Sequence, residues 1–345
     1  MSDLINVSST STPMSVIIDT GTPKVNVVDL SAVTRIIINK LPDGTIILPL
    51  ELEAPVKQTP AGGYTSVFNA ITSGIDKMIA VGADMEVQSS FNGIDWSNVT
   101  GTAFPNIFYG ANYSADSGLY TITGAAHRIH TSPSGNSGTW TERFAGGFGN
   151  YNCVSSGNNV TIIGSSSTGK LERSTDGINY SEIDTSEFKA FTANAYGSNI
   201  FIMSATDAFR SSMWGSNSTG SSWAALTNLS DPIYGMTYID GTNFLAVGED
   251  GSIYVSDPTY TNWSKKDNAN GYTGTFYAAS YGAMVVMAVG SGGEIQYSLD
   301  KGDTWIHLDN AGGYSGTFRG VTFYGNISSF VAVGDNGEIQ TIKVV

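Results

Sequence analysis

Carboxylates are the commonest reactive groups of this chain, 30 Asp and Glu in all, and Ser298-Leu299-Asp300-Lys301-Gly302-Asp303-Thr304-Trp305 puts two of them in one turn. Hydrolysis of a glycosidic bond needs two carboxyl groups facing each other across a cleft, so placement matters more than number. Here they are scattered over short polar turns, and the sequence pairs none of them. An Asp shortly before a Gly has another use: its carboxylate accepts hydrogen bonds from its own turn, where Gly supplies a positive φ. Asp300 and Asp176 are therefore expected to be structural. His127 and His130 lie three apart on an expected strand and so face opposite sides, which prevents them from sharing an ion. Glu249-Asp250-Gly251 and Asp335-Asn336-Gly337-Glu338 read as hairpin turns in preference to calcium loops. Cys153 is the only cysteine, so no intrachain disulfide forms, and it is expected to pack as a small apolar residue in a strand. There is no nucleophile elbow, phosphate loop or dinucleotide fingerprint. These residues predict no enzyme, no metal and no cofactor.

The elements that carry these turns repeat. A short apolar run ending in a small residue closes at Gly82, Gly124, Gly164, Ala205, Gly248, Gly290 and Gly334, at steps of 40 to 44 residues. Seven near-equal units of this length, each with room for four short strands, predict a seven-bladed β-propeller. A lone blade would expose two faces; packing blades about an axis buries both. A second marker keeps phase with the first: Trp96, Trp140, Tyr180, Trp223, Trp263 and Trp305 close repeats one to six. A large aromatic there would cover the gap to the neighbouring blade. Gly, Ser, Thr and Asn supply most of the polarity, and no long helical pattern competes.

The turn Ser298 to Trp305 matches the pattern Ser-x-Asp-x-Gly-x-Thr-Trp throughout, and Ser174 to Tyr180 and Ser90 to Trp96 match it in part. It resembles the Asp-box, or BNR repeat, of sialidase-like propellers. The resemblance covers about residues 62 to 345 and implies a structural turn between third and fourth strands, with Asp176, Asp300 and Trp305 in structural roles. It also implies three arginines around a bound carboxylate if the activity were present. Arg128, Arg173 and Arg210 fall on equivalent third strands, Arg143 follows a fourth strand, and Arg319 alone falls on a first strand, next to the axis. A glycan-active hydrolase of this class is therefore the alternative reading, not the expected one.

Blades are expected to start near 62, 101, 144, 185, 228, 269 and 311. The seventh repeat opens with Ala311-Gly312-Gly313-Tyr314, as the first opens with Ala61-Gly62-Gly63-Tyr64, but stops one strand short. An open blade leaves an unpaired edge. The segment 45–54, with Thr45 to Leu52 strand-like, is expected to supply the missing outer strand and close the ring within 45–345. Residues 1–44 then form a small β-rich arm, too small for a core of its own: Ser15 to Asp19, Lys24 to Leu30 and Arg35 to Asn39 read as strands and Pro42-Asp43-Gly44 as a turn.

Recognition is expected in the loops between blades, whose aromatics include Tyr64, Phe104, Phe148, Tyr151, Phe188, Tyr234, Tyr272 and Tyr314. They could stack on sugars or fill partner pockets, or merely plug the channel. Arg319 could bind an anion, and Trp214, expected in a long loop on the opposite face, would mark an interface. The net charge of −14 argues against nucleic acid. No apolar run is long enough to span a membrane, and the opening residues lack a secretory signal. Low charge, Gly/Ser/Thr/Asn richness, one cysteine and a β-rich N-terminal arm resemble phage virion propellers. That resemblance implies a non-enzymatic tail, fibre or decoration protein located in the virion. It would attach to other virion proteins through residues 1–60, occur as a homo-oligomer in the assembly, and bind a host-surface glycan or receptor. An assembly scaffold is the third reading.

Overall fold

The computed structural model describes residues 3–8, 13–18, 39–40, 46–47, 50–100, 107–146, 149–166, 169–185, 190–207, 210–239, 241 and 243–345. The chain divides into two units, Met1–Glu51 and Leu52–Val345. In the first, Asp3–Ser8 pairs antiparallel with Pro13–Ile18, and Asn39–Lys40 with Ile46–Ile47. The expected strand Lys24 to Leu30 and the turn at Pro42 to Gly44 lie outside the described residues.

The second unit is a seven-bladed propeller of four-stranded antiparallel sheets. Blade 6 shows the plan: an inner strand Phe276–Gly282, then Val285–Gly290, Ile295–Ser298 and an outer strand Ile306–His307. The other inner strands are Phe68–Ser73, Phe108–Ser114, Tyr151–Gly157, Ala190–Gly197, Ile233–Ile239 and Phe318–Tyr324. Each inner strand packs on the next around the ring, including blade 7 on blade 1. Second strands are buried throughout, as in Met78–Gly82 and Val285–Gly290, so they read as continuous apolar runs instead of alternating ones.

The core lies between blades. Trp305 of blade 6 joins Leu245, Val247 and Val255 of blade 5, and Trp96 of blade 1 joins Val331, Val333 and Ile339 of blade 7. Each periodic aromatic thus covers the gap to the blade before it. The small residue that marks the repeat has a steric cause. Gly248 and Gly334 are extended, at φ −166 and −168, so they serve space and not φ. A Cβ at Gly248 would lie 1.8 Å from the Pro232 carbonyl, and one at Gly334 would lie 2.1 Å from that of Thr317. The chain entering the inner strand crosses there and leaves no room for a side chain.

An N-terminal strand closes the ring, but most of it lies just past the expected segment 45–54. Val56–Gln58 pairs antiparallel with blade 7 in the register Gln58↔Ile339, Lys57↔Gln340 and Val56↔Thr341, and Leu52 bridges Val344. Ile46–Ile47, inside the expected donor, pairs with Asn39–Lys40 instead. An outermost strand is short and solvated, so apolar content was the wrong guide to it. Its anchor is ionic: Lys57 Nζ lies 2.6 Å from Oε2 of Glu338, whose side chain is 2% exposed.

Candidate functional site at the axial mouth

One irregularity recurs in all seven inner strands. Pairing with the second strand jumps a residue at Phe68/Ala70, Phe108/Gly110, Tyr151/Cys153, Phe191/Ala193, Ile233/Gly235, Phe276/Ala278 and Phe318/Gly320. A β-bulge frees one residue from the ladder and re-aims it. The seven freed residues are Asn69, Tyr109, Asn152, Thr192, Tyr234, Tyr277 and Arg319, and all of them line one axial cavity of about 420 Å³. The next residue in each strand is small (Ala70, Gly110, Cys153, Ala193, Gly235, Ala278, Gly320), which lets the strands converge. Further along, aromatics of one blade cover glycines of the preceding one: Tyr196 on Gly157, Tyr238 on Gly197 and Phe323 on Gly282.

Within the ring of freed residues, three neighbours touch in turn. The Tyr234 and Tyr277 rings are 5.7 Å apart at 34°, and the Arg319 guanidinium sits 5.5 Å from the Tyr277 centroid. Arg319 Nε donates to Asp335 Oδ1 at 2.6 Å, and the Tyr234 hydroxyl donates to Glu249 Oε1 at 2.8 Å. Burial, followed by the hydrogen bond to Glu249, pushes the Tyr234 phenol well above its ordinary range, so it remains a donor at neutral pH. Elsewhere in the ring Asn69 donates to the Phe108 carbonyl and Thr192 to that of Ile233. The bulge residues therefore also link neighbouring blades.

The structure sorts the expected recognition residues. Tyr234 and Arg319 are in the mouth. Tyr64, Tyr272 and Tyr314 are instead three copies of a lock at the entry to a blade. Each packs on the first residue of the following inner strand, Phe68, Phe276 or Phe318, at 4.7 to 4.8 Å. Each donates its hydroxyl to backbone carbonyls at Val67 and Ala83, Thr275 and Ser291, or Thr317 and Asp335. Tyr151 is buried and donates to Glu172 Oε1 at 3.0 Å. Phe104, Phe148 and Phe188 lie outside the described residues. Trp214 is not in a loop: it belongs to the strand Ser211–Asn217, pairs with Met203 and Ala225, and packs half-buried on the core between blades 3 and 4. Polar Ser, Gly and Asn around it disguised a third strand as a loop. Asn69, Tyr109, Asn152, Thr192 and Tyr277 were missed; their signal is an apolar-x-small triplet at one phase of every repeat.

The turn residues are consumed locally. Asp300 accepts from the Thr304 amide and hydroxyl and from the Ser298 hydroxyl, while Trp305 Nε1 donates to the Gly302 carbonyl. Burial alone would raise the Asp300 carboxyl, but these hydrogen bonds outweigh it and hold it below the usual range. Asp176 accepts from the amides of Asn179 and Ile178, which depress it strongly. Asn92 accepts from Ile94 and Asp95 in the same way. Burial pushes the Cys153 thiol up to about 12, which removes the thiolate a nucleophile needs. His127 lies in a turn at φ 53, not on the strand expected for it, and His130 is buried on Ile129–Ser132. Among the described residues no cluster of three or more His, Cys, Asp or Glu could hold a metal ion. No described helix is long and apolar enough to cross a membrane.

Geometry thus defines the second unit as a seven-bladed propeller with a polar-aromatic mouth at its axis. No protein-family model matches the chain, and no curated protein matches it in sequence. Solved structures do share the fold. The WD40 β-propeller domain of Doa1 is 14% identical with a TM-score of 0.65, over 84% of this chain and 97% of that one. YCF48 from Cyanidioschyzon merolae is 17% identical at 0.65, over 84% and 99%. YCF48 bound to D1 peptide is 15% identical at 0.66, over 89% and 97%.

Proposed function

We propose that this chain is a non-enzymatic binding propeller that recognises its ligand at the axial mouth and is carried on a larger assembly by its N-terminal unit. The observation behind this is the sevenfold bulge, which brings one freely varied side chain per blade to a single opening. The turns at Ser298 to Trp305, Ser174 to Tyr180 and Ser90 to Trp96 read as Asp-box turns whose carboxylates or amides are spent on their own backbone. Glu249 and Asp335, the acids beside the mouth, are engaged by Tyr234 and Arg319. A structurally similar propeller is bound to a peptide, which favours protein partners for part of this surface.

The assembly we propose is a phage virion, with attachment to other virion proteins through the residues before the closing strand and a homo-oligomeric arrangement in the particle. Deleting residues 1–51 leaves Leu52 and Val56–Gln58 to close the ring. The truncated chain should keep the ring's cooperative melting transition and fail to enter the particle. Normal incorporation would refute attachment through this unit. Release of product from sialosides or bacterial polysaccharides by the full chain would refute the non-enzymatic reading.

A further inference from the structure

The mouth has an aromatic wall on one arc, while the other arc is polar apart from Tyr109 of blade 2. On blades 5, 6 and 7, Tyr234, Tyr277 and Arg319 form a continuous wall of flat π surfaces. Elsewhere around the opening, Asn69 donates its amide nitrogen to the Phe108 carbonyl at 2.8 Å and Thr192 its hydroxyl to that of Ile233 at 2.6 Å. Asn152 reaches toward the Phe191 carbonyl at 3.5 Å. With their nitrogens turned to the neighbouring backbone, the two asparagines keep their Oδ1 atoms as acceptors. Arg319 uses only Nε toward Asp335; among the described residues its two terminal nitrogens have no hydrogen-bond partner. Its side chain is one-third exposed, and the cavity of about 420 Å³ it borders falls within the roughly 300–1,000 Å³ of small-molecule sites.

Resting on the reading that the mouth is the binding face, we infer that it takes the ring of a neutral pyranose. Such a ring has an apolar C–H face, which stacks on aromatic walls, and an edge of hydroxyls that both donate and accept. Tyr277 and Tyr234 meet the first. The Arg319 terminal N–H groups and the asparagine oxygens meet the second, in a fork-and-acceptor arrangement that satisfies polar groups as they leave water. Charge decides between neutral and acidic sugars. Among the described residues the only charged one lining the cavity is Arg319, and its guanidinium is already paired with Asp335, with Glu249 held by Tyr234 beside it. One cation stands against two carboxylates, in a chain of net charge −14. A sialyl or uronate carboxylate would enter against that excess, whereas a neutral ring meets no such penalty.

The test is titration calorimetry of the full chain with maltotriose, chitotriose, sialyllactose and trigalacturonate. At least one neutral trisaccharide should bind, at least tenfold more tightly than either acidic one. Tyr277→Phe should keep that binding and Tyr277→Ala should lose at least tenfold, the phenylalanine variant serving to separate the stacking surface from the fold. Tighter binding of the acidic sugars would overturn the inference and make the mouth an anion site. Binding that survives Tyr277→Ala would place the sugar elsewhere and overturn it too. No binding by any of the four would also overturn it, while attachment of the chain to its particle, read separately by incorporation of the 1–51 deletion, would stand or fall on its own.

Discussion

His130 gives the propeller a built-in sensitivity to acid. It is 1% exposed on the third strand of blade 2, with the Phe108 ring edge-on at 5.7 Å and the Arg128–Glu142 pair beside it. Burial, and then the charge of Arg128, lower its pKa from 6.5 to about 4. The folded state thus keeps His130 neutral where the unfolded chain would protonate it. Stability is complete above pH 6.5 and falls as the pH drops toward 4, because in that window the unfolded state binds more protons. At about 1.4 kcal/mol per pH unit the ceiling is about 3 kcal/mol. The control is His130→Gln, since Gln88, Gln296 and Gln340 hold the corresponding third-strand positions in blades 1, 6 and 7 and are fully buried. Urea unfolding of both proteins between pH 7.5 and 4.5 should show the native chain losing about 2–3 kcal/mol that the variant retains, or roughly 3–5 °C in melting temperature for a ring of this size. His307 cannot mimic this. Although burial opposes it, hydrogen bonds to Glu294 and Asp309 raise its pKa, so its contribution is present below pH 6.5 and is lost as the pH rises. Parallel stability curves for the two proteins from pH 6.5 to 4.5 would refute the reasoning.

Two further outcomes test the frame of the ring. Asp300→Ala should cost about 1 kcal/mol, because the Thr304 amide and hydroxyl and the Ser298 hydroxyl lose their acceptor at a solvated turn. Asp300→Asn should stay within a few tenths of the native chain, as Asn92 does the same work in blade 1; equal losses from both, read in urea, would disprove the acceptor role. Extending the N-terminal deletion from residue 51 to 58 removes the partner of Ile339–Thr341 and leaves the buried Glu338 without Lys57. That step should cost roughly 3 kcal/mol or more beyond the shorter deletion, and identical melting of the two truncated chains would disprove closure by Val56–Gln58.

Period and composition carried the architecture because each repeated letter answers a repeated constraint. Gly248 and Gly334 recur where a crossing carbonyl leaves no space for a Cβ, and Trp305 and Trp96 recur where two blades must be sealed. The turn at Asp300 was legible for the same reason, since its function is complete within eight residues. What failed was whatever depends on partners far apart in sequence. Val56-Lys57-Gln58 looks unlike a strand until Glu338 is seen beside it. Tyr64, Tyr272 and Tyr314 look like ligand platforms until their hydroxyls are found on neighbouring carbonyls. The mouth was half legible: Arg319 and Tyr234 stood out by type, whereas Asn69 and Thr192 did not. A bulge moves a residue off the alternating pattern, so period-2 reading assigns it the wrong face.

The placement of the aromatic wall follows from how the ring is jointed. Between blades 5 and 6, 6 and 7, and 7 and 1, the connection repeats almost residue for residue. A turn at Ala269–Gly271, Ala311–Gly313 or Ala61–Gly63 is pinned by a buried glutamine that both accepts from and donates to the alanine backbone. Asn268 and Asn310 add a second tie by donating to Gly251 and Gly293. The amides of Gly251, Gly293 and Gly337 reach the carbonyls of Gly274, Gly316 and Ser66. In blades 2 to 5 the corresponding third-strand positions hold His130, Glu172, Trp214 and Tyr254 in place of glutamine, so among the described residues the glutamine lock belongs to this arc. Tyr234, Tyr277 and Arg319 stand on blades 5, 6 and 7, which this lock joins to one another and to blade 1. A binding surface gains affinity when the groups that form it are already held in place. The stacked wall therefore stands, among the described residues, on blades joined by this repeated lock.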